Sequence, residues 1–168
     1  LTEQPYPDAI AKWVTEPAGM RLTGCPSMDL PPEDMAIGYL RSGSPNIGHL
    51  PSFGGPDGGI VTNVDDLRRF FCCLRDGSLI QESTRQFLCR SVSQIDSVEA
   101  YGHGFGVVTA GGRMWYGHTG SDPGVSARIA FSMDSESSIV VLCNYGSVAF
   151  RVFRLVLQWL SHTTFPNR

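Results

Sequence analysis

The residues best suited to chemistry lie together in one short run, residues 117–124, with the sequence GHTGSDPG. Within this run His118 can donate, accept or carry a proton, while Thr119 and Ser121 each bring a hydroxyl group. Side chains of these types serve acid–base catalysis, nucleophilic attack and the binding of polar ligands. Glycines at three positions of the run would let a ligand or a second backbone approach closely. The alternative interpretation is a glycine-rich hairpin turn with a polar histidine at its edge.

Two strands are predicted to hold this run, one on either side. Residues 113–117 form a short predicted strand, and residues 125–133 alternate apolar and polar side chains over nine positions. A period of two is that of a strand with one buried face. The side chains assigned to the buried face are Val125, Ala127, Ile129, Phe131 and Met133. Those assigned to the opposite face are Ser126, Arg128 and Ser132.

The rest of the sequence predicts four helices, two more strands and a long loop. The helices are expected near residues 7–15, 64–75, 82–90 and 148–161, and the strands near residues 104–109 and 138–144. In the second helix the predicted buried stripe is Val64, Leu67, Phe71 and Leu74. Residues 41–59 contain three prolines and six glycines, which predicts an irregular loop of the kind that is often functional.

These elements indicate one domain over residues 1–168 with an α+β fold, a mixed α/β sandwich. Residues 1–100 are expected to be helical and loop-rich, and residues 101–168 to form an antiparallel sheet packed by helices. The last helix carries two adjacent apolar rows, and such a broad face needs covering on more than one side. Self-association, or contact with a partner, is therefore expected. The two rows are Val148, Val152, Leu155, Trp159 and Ala149, Phe153, Val156, Leu160.

The composition narrows the possible functions. A hydrophobic content of 42% and a charged content of 17% are typical of a globular protein rather than a disordered one. The net charge of −3 gives no indication of nucleic-acid binding. The five cysteines lack the spacing of a zinc site, so free thiols are expected, with neither a metal nor a cofactor. The sequence contains no visible signal peptide or membrane span.

Five segments occur in an order that resembles a known family. They are residues 13–20 (WVTEPAGM), 58–70 (GGIVTNVDDLRRF), 101–106 (YGHGFG), 117–124 and 144–146 (NYG). Together they resemble the serine beta-lactamase and penicillin-binding-protein-like hydrolases. The chain looks closest to the class C-like group, which includes esterases and D-amino-acid peptidases. The resemblance covers nearly the whole chain, matches the C-terminal half or so of a family member, and implies acyl transfer through a serine ester.

The resemblance identifies His118, Thr119, Gly120 and Ser121 as the third active-site motif and assigns roles to three of them. The Thr119 hydroxyl would contact the acid group of a substrate, and His118 would contribute electrostatics. The backbone N–H of Ser121, just beyond Gly120, would be one of two oxyanion-hole donors. His118 and Thr119 are accordingly expected at an exposed strand edge beside the loop of residues 41–59.

The two other motifs of that family are missing from the sequence. The S-x-x-K motif is absent, because the only lysine is Lys12 and Ala9 lies three positions before it. No tyrosine is followed by asparagine two positions later, so Y-x-N is absent as well. Ser44-Pro45-Asn46 fits the S-x-N variant by its letters, and we interpret that match as a coincidence. A piece of a serine hydrolase is therefore expected, inactive alone and missing its N-terminal half; a start at Leu1 favours the same interpretation.

Two other interpretations remain open at this point. The chain could be a non-catalytic binding or assembly protein that keeps a remnant of the fold. It could also be an independent enzyme that uses His103, His118 and Ser121 with an aspartate, although no G-x-S-x-G nucleophile motif is present. The remaining histidines, His49 and His162, are expected at an exposed loop and a helix end.

Overall fold

The computed structural model describes residues 3–96 and 98–161. Within these residues the chain forms four α-helices and six strands. The helices are α1 (Tyr6–Ile10), α2 (Val64–Asp76), α3 (Glu82–Cys89) and α4 (Val148–Ser161). The strands are β1 (Ser93–Gln94), β2 (Glu99–Tyr101), β3 (Gly106–Ala110), β4 (Arg113–Asp122), β5 (Val125–Ser132) and β6 (Ser138–Cys143). All neighbouring strands pair antiparallel, in the order β1-β2-β3-β4-β5-β6.

The predicted α+β fold, an antiparallel sheet packed by helices, is confirmed. The first predicted helix consists of α1 followed by a π-helical turn over Ala11–Thr15. Strands β1 and β2 were not predicted, because they have only two and three residues and cannot establish an alternating pattern. The first half of the chain contains α1, α2 and α3 joined by loops, together with these two short strands.

The sheet is covered on both faces, so the prediction of a single buried face for β5 is wrong. Ala130 packs with residues of α4 on one face, and Phe131 packs with residues of α2 on the other. Ser126 and Ser132, which were assigned to a solvent face, are both buried. Ser126 is satisfied there, because its hydroxyl donates to the Tyr145 carbonyl (2.8 Å) and accepts from the Ala149 N–H (3.1 Å). The small polar side chains thus line the packed face without an unmet hydrogen-bonding group.

Helix α2 begins and ends where its sequence predicts. The Asn63 side chain accepts a hydrogen bond from the Asp66 N–H (2.9 Å), and Gly77 closes the helix with φ at +84°. The buried stripe differs from the prediction, because Val64 lies in the first turn and is 51% exposed. Asp66 is buried instead and accepts from the Leu22 N–H at 2.8 Å, an interaction that fastens the connector before the helix.

Helix α4 buries only the first part of one predicted apolar row, because Leu160 at its end is 44% exposed. Ala149 and Phe153 are buried against the sheet, as is Leu157 one turn further on. The other row, which was expected to share this coverage, remains exposed among the described residues, with Leu155 65% and Trp159 76% exposed. None of the described helices is both long and apolar enough to cross a membrane. The five cysteines are free thiols, as predicted.

Candidate active site

Strand β4 carries all four residues of the predicted site. His118, Thr119, Gly120 and Ser121 lie within the strand, which stays paired with β5 as far as Asp122. The prediction that the run lies between two strands is therefore wrong, because the first strand continues through it, and so is the alternative of a hairpin turn over the whole run. The turn comprises only Pro123 and Gly124. Gly124 has φ at +79°, a conformation that other residues rarely adopt, which explains why the chain reverses there.

Among the strands that the structure describes, the outer half of β4 has a neighbour on one side only. Pairing with β3 ends at the Gly106–Gly117 pair, whereas pairing with β5 continues for five more residues of β4. His118 and Thr119 therefore lie on a stretch of strand whose second edge is free, and both are exposed. Gly117 lies at this boundary. A Cβ at this position would collide with the Ile129 carbonyl oxygen, which explains the glycine.

The His118 ring is held by hydrogen bonds to both of its nitrogens. Nδ1 lies 2.8 Å from the Thr119 carbonyl oxygen, and Nε2 lies 2.9 Å from the Tyr101 hydroxyl. Because a carbonyl oxygen can only accept, Nδ1 carries a proton. In the neutral ring Nε2 is then the acceptor and the Tyr101 O–H donates to it. The two rings meet edge to face with centroids 6.0 Å apart. Tyr101 is thus a site residue that the sequence did not identify individually, although its segment was among those that resemble the family.

Asn46 fixes the end of the β4–β5 hairpin. Its side chain is 1% exposed, accepts from the Gly38 N–H (3.0 Å) and donates to the Pro123 carbonyl (2.9 Å). Tyr39 adds a backbone hydrogen bond to the Gly124 carbonyl at 3.2 Å. The interpretation of Asn46 as a coincidental motif match overlooked this structural role. The sequence held no signal for it, because the partner backbone lies 77 residues away along the chain.

A shallow cavity of about 410 Å³ lies between this loop and the hairpin end. It extends the candidate site from Ser121 toward Tyr39 and Tyr145. Arg41, the first residue of the loop that was predicted to flank the site, lines this cavity together with Ser121. The aromatic rings and the strand end together leave room beside the Ser121 backbone for part of a ligand.

Comparison with known proteins identifies the family. The beta-lactamase family model matches residues 1–160. This chain belongs to the beta-lactamase family. Its fold is similar to that of a penicillin-binding protein from Bacillus halodurans, with a TM-score of 0.82 and 29% identity, a match that covers 89% of this chain and 48% of that one. No curated protein matches the sequence.

Two further solved structures share the beta-lactamase-family fold. A D-stereospecific amidohydrolase from Streptomyces sp. has a TM-score of 0.74 and 23% identity, with 97% of this chain and 50% of that one covered. The octameric penicillin-binding protein homologue from Pyrococcus abyssi has a TM-score of 0.73 and 23% identity, with 90% of this chain and 37% of that one covered. The chain therefore spans about half the length, or less, of the solved proteins that it matches.

The other candidate residues of this beta-lactamase-family chain are not assembled into a second site. His103 stacks on Phe87 of α3, with ring centroids 4.1 Å apart, whereas His118 contacts Tyr101. No hydrogen bond joins His103, His118 and Ser121 within the part of the chain that the structure describes. His49 is exposed in a short 3₁₀ turn, as predicted, and His162 lies outside the described residues. Across residues 3–96 and 98–161, no three His, Cys, Asp or Glu side chains cluster as metal ligands would.

Proposed function

We propose that this chain supplies the third-motif part of an acyl-transfer site in a serine hydrolase. The substrates would be beta-lactams, esters or D-amino-acid peptides. The observation that carries the proposal is the exposed, single-edged stretch of β4 with His118 held in place by Tyr101. Such an edge supports the proposal because it lets a substrate carbonyl approach backbone N–H donors, as an oxyanion hole requires. Residues 1–168 would then form one domain that is the C-terminal part of a larger beta-lactamase-like fold.

The alternation of the strand supports the role proposed for the Ser121 N–H. Successive residues of a strand direct their N–H and C=O groups to opposite sides. The Thr119 carbonyl oxygen lies 2.8 Å from the His118 ring, which supports its facing the free edge. The Ser121 N–H, two positions further on, faces the same edge and is available to an oxyanion. Thr119 would contact the acid group of the substrate, and His118 would contribute electrostatics.

Hydrolysis would also require a nucleophile and base that this sequence lacks. Acyl-enzyme formation needs a serine whose proton is taken by a neighbouring base, and the family's S-x-x-K and Y-x-N motifs are both absent. The one lysine, Lys12, stacks against Trp13 near the start of the chain. We therefore propose that the chain is inactive alone and acts together with a nucleophile-bearing N-terminal half.

A two-step experiment tests this proposal. The chain alone is incubated with a reactive beta-lactam and with an activated ester, and intact-mass spectrometry is expected to find no acyl adduct. The N-terminal half of a related hydrolase, carrying S-x-x-K and Y-x-N, is then added, and activity is expected to appear. His118→Ala and Thr119→Ala should each abolish it. Thr84, an exposed threonine of α3, is the matched control, and Thr84→Ala should leave it unchanged.

Two results of this experiment would contradict the proposal. A stoichiometric adduct on a serine of the chain alone would favour the independent-enzyme interpretation. If the complemented activity persists in His118→Ala and Thr119→Ala, this segment is not part of the active site.

A second candidate function is a non-catalytic binding or assembly role. Its support is the exposed apolar row of α4, together with a fold relative from Pyrococcus abyssi that is described as octameric. A stable homo-oligomer of this chain that cannot be complemented by any nucleophile-bearing half would favour that function over acyl transfer.

A further inference from the structure

The cavity of about 410 Å³ at the end of the β4–β5 hairpin has walls that hydrogen bonds hold in place. The Tyr39 N–H donates to the Gly124 carbonyl at 3.2 Å and to the Asn144 carbonyl at 3.1 Å. The Asn144 side chain donates in turn to the Ile37 carbonyl at 3.1 Å. Three segments that are distant in the sequence are thereby joined around one space. The cavity is therefore preformed, as ligand sites usually are.

Two tyrosines from different segments line this cavity. Tyr39 lies just before the long loop and Tyr145 follows β6, and both are exposed. Across the described residues, neither ring contacts another aromatic ring and neither hydroxyl has a hydrogen-bond partner. Tyr101 differs from them, because its hydroxyl is hydrogen-bonded to His118. The rings of Tyr39 and Tyr145 are thus available to a ligand.

The charges around this cavity balance. Arg41 and Asp122 both line it with opposite charges, both are exposed, and the other lining residues are uncharged. A lining without net charge favours an uncharged group, because an ion would lose water without gaining an excess of opposite charge. A cavity of about 150 Å³ is large enough for a benzene ring, so the space here suffices for one. A ring bound beside tyrosine side chains gains edge-to-face or offset contacts beyond the area that it buries.

Ser121 links the cavity to the candidate active site. It lines the cavity, and its N–H is the oxyanion donor proposed above. A substrate carbonyl held at that N–H would place its neighbouring group beside the end of the hairpin. Gly124 and Gly146 line the cavity there without side chains, which leaves the space open to that group.

We propose that this cavity binds an uncharged aromatic group of the substrate and that Tyr39 and Tyr145 are specificity-determining residues. The ring would pack against the two tyrosines while the substrate carbonyl lies at the Ser121 N–H. This specificity rests on the acyl-transfer function proposed above. It narrows the substrates to beta-lactams, esters or D-amino-acid peptides that carry an aromatic ring close to the reacting carbonyl. The two tyrosines take no part in the chemical step.

The test is a titration of the ¹⁵N-labelled 168-residue chain with phenylacetamide, followed by NMR at the assigned backbone amides of Ser121 and Gly146. We expect saturable shifts at both amides with a Kd in the millimolar range, because the ligand is small. Cyclohexylacetamide has the same amide group and a ring of similar size without π electrons. It should bind roughly 2- to 12-fold more weakly. Phenylacetate, which is negatively charged, should bind no more tightly than phenylacetamide.

The variants are Tyr39→Leu and Tyr145→Leu, with Phe53→Leu as the matched control. Phe53 is an exposed aromatic residue of the long loop outside the cavity lining. Each tyrosine variant should weaken phenylacetamide binding by roughly 2- to 12-fold and change cyclohexylacetamide binding less. Phe53→Leu should change neither. Tyr39→Leu keeps the backbone N–H that joins the walls, and if one tyrosine variant fails to fold, the other decides.

Four results would overturn the proposal. They are equal Kd values for phenylacetamide and cyclohexylacetamide, tighter binding of phenylacetate, equal phenylacetamide affinity in all three variants, and shifts that are absent or confined to residues outside this cavity. None of these measurements depends on hydrolysis. Ring binding without complemented activity would contradict acyl transfer and leave the aromatic site. Complemented activity without ring binding would contradict this specificity and leave acyl transfer.

Discussion

The hydrogen bond between Tyr101 and His118 is the contact that orients the candidate catalytic histidine. Removing it with Tyr101→Phe takes away the donor to Nε2 and leaves the ring contact largely in place. A neutral hydrogen bond contributes about 0.5–1.5 kcal/mol, so the Nδ1–H tautomer should lose roughly 2- to 12-fold in its preference. Long-range ¹H–¹⁵N correlation spectra of His118 measure the tautomer ratio directly. Tyr145→Phe, which alters another exposed tyrosine, is the control. An unchanged tautomer ratio in Tyr101→Phe would mean that the contact does not orient the ring.

Cys89 gives the chain a predictable loss of stability at alkaline pH. Burial raises the pKa of this thiol to about 11. The unfolded thiol titrates near its ordinary value of about 8.5, so the folded chain holds the proton more tightly. The stabilisation is fully present below that value and is lost as the pH rises toward 11. Unfolding by urea at a series of pH values should show this decline, and it should be smaller in Cys89→Ala. The stability of Cys143→Ala should decline with pH like that of the parent chain. An equal pH dependence in all three proteins would contradict the assignment to Cys89.

At the scale of elements, the side chain of Asn46 holds the long loop against the β4–β5 hairpin. Asn46→Ala leaves the Gly38 N–H and the Pro123 carbonyl without their partner in a buried place. The cost of such unmet groups is about 1–3 kcal/mol each, so the free energy of unfolding should fall by at least that much. Asn144 offers a comparison, because it is exposed and, among the described residues, its side chain makes a single hydrogen bond, to the Ile37 carbonyl. In urea unfolding, Asn144→Ala should lower the free energy of unfolding markedly less than Asn46→Ala. Equal losses would show that Asn46 does not hold the loop to the hairpin.

The difference between local signals and contacts of distant segments explains how far the sequence could predict the fold and the site. Helix α2 was predictable because a cap, a stripe of apolar residues and a closing glycine are all local signals. The second covered face of β5 was not, because Ser126 is satisfied by the Tyr145 carbonyl and the Ala149 N–H, which only the folded chain brings near. The length of β4 was misjudged because glycine and proline normally indicate turns. Contacts between distant segments, such as that of Asn46 with Pro123, leave no trace in a local pattern.

The whole molecule presents an apolar surface beside an open sheet edge. Val152, Leu155 and Trp159 form an exposed row on α4. Strand β6 pairs with β5 on one side, and no other described strand pairs with its outer side. Exposed apolar rows and unpaired strand edges both favour association, because burial removes apolar area from water and pairing satisfies backbone groups. The covered row of the same helix shows the contrast, since Ala149, Phe153 and Leu157 are buried.

We therefore expect the chain to self-associate through the exposed row of α4 and the outer side of β6. Sedimentation velocity over roughly 1 to 100 µM should give a weight-average mass that rises above the 18.3 kDa of one chain as concentration increases. The double change Leu155→Glu and Trp159→Glu places charges in the row and should restore a monomer. Leu30→Glu is the matched control, because Leu30 is also an exposed leucine but lies in the connector before α2. Association that persists in the α4 variant would assign the contact to another surface, and a monomer over the whole range would show that this face stays exposed without pairing.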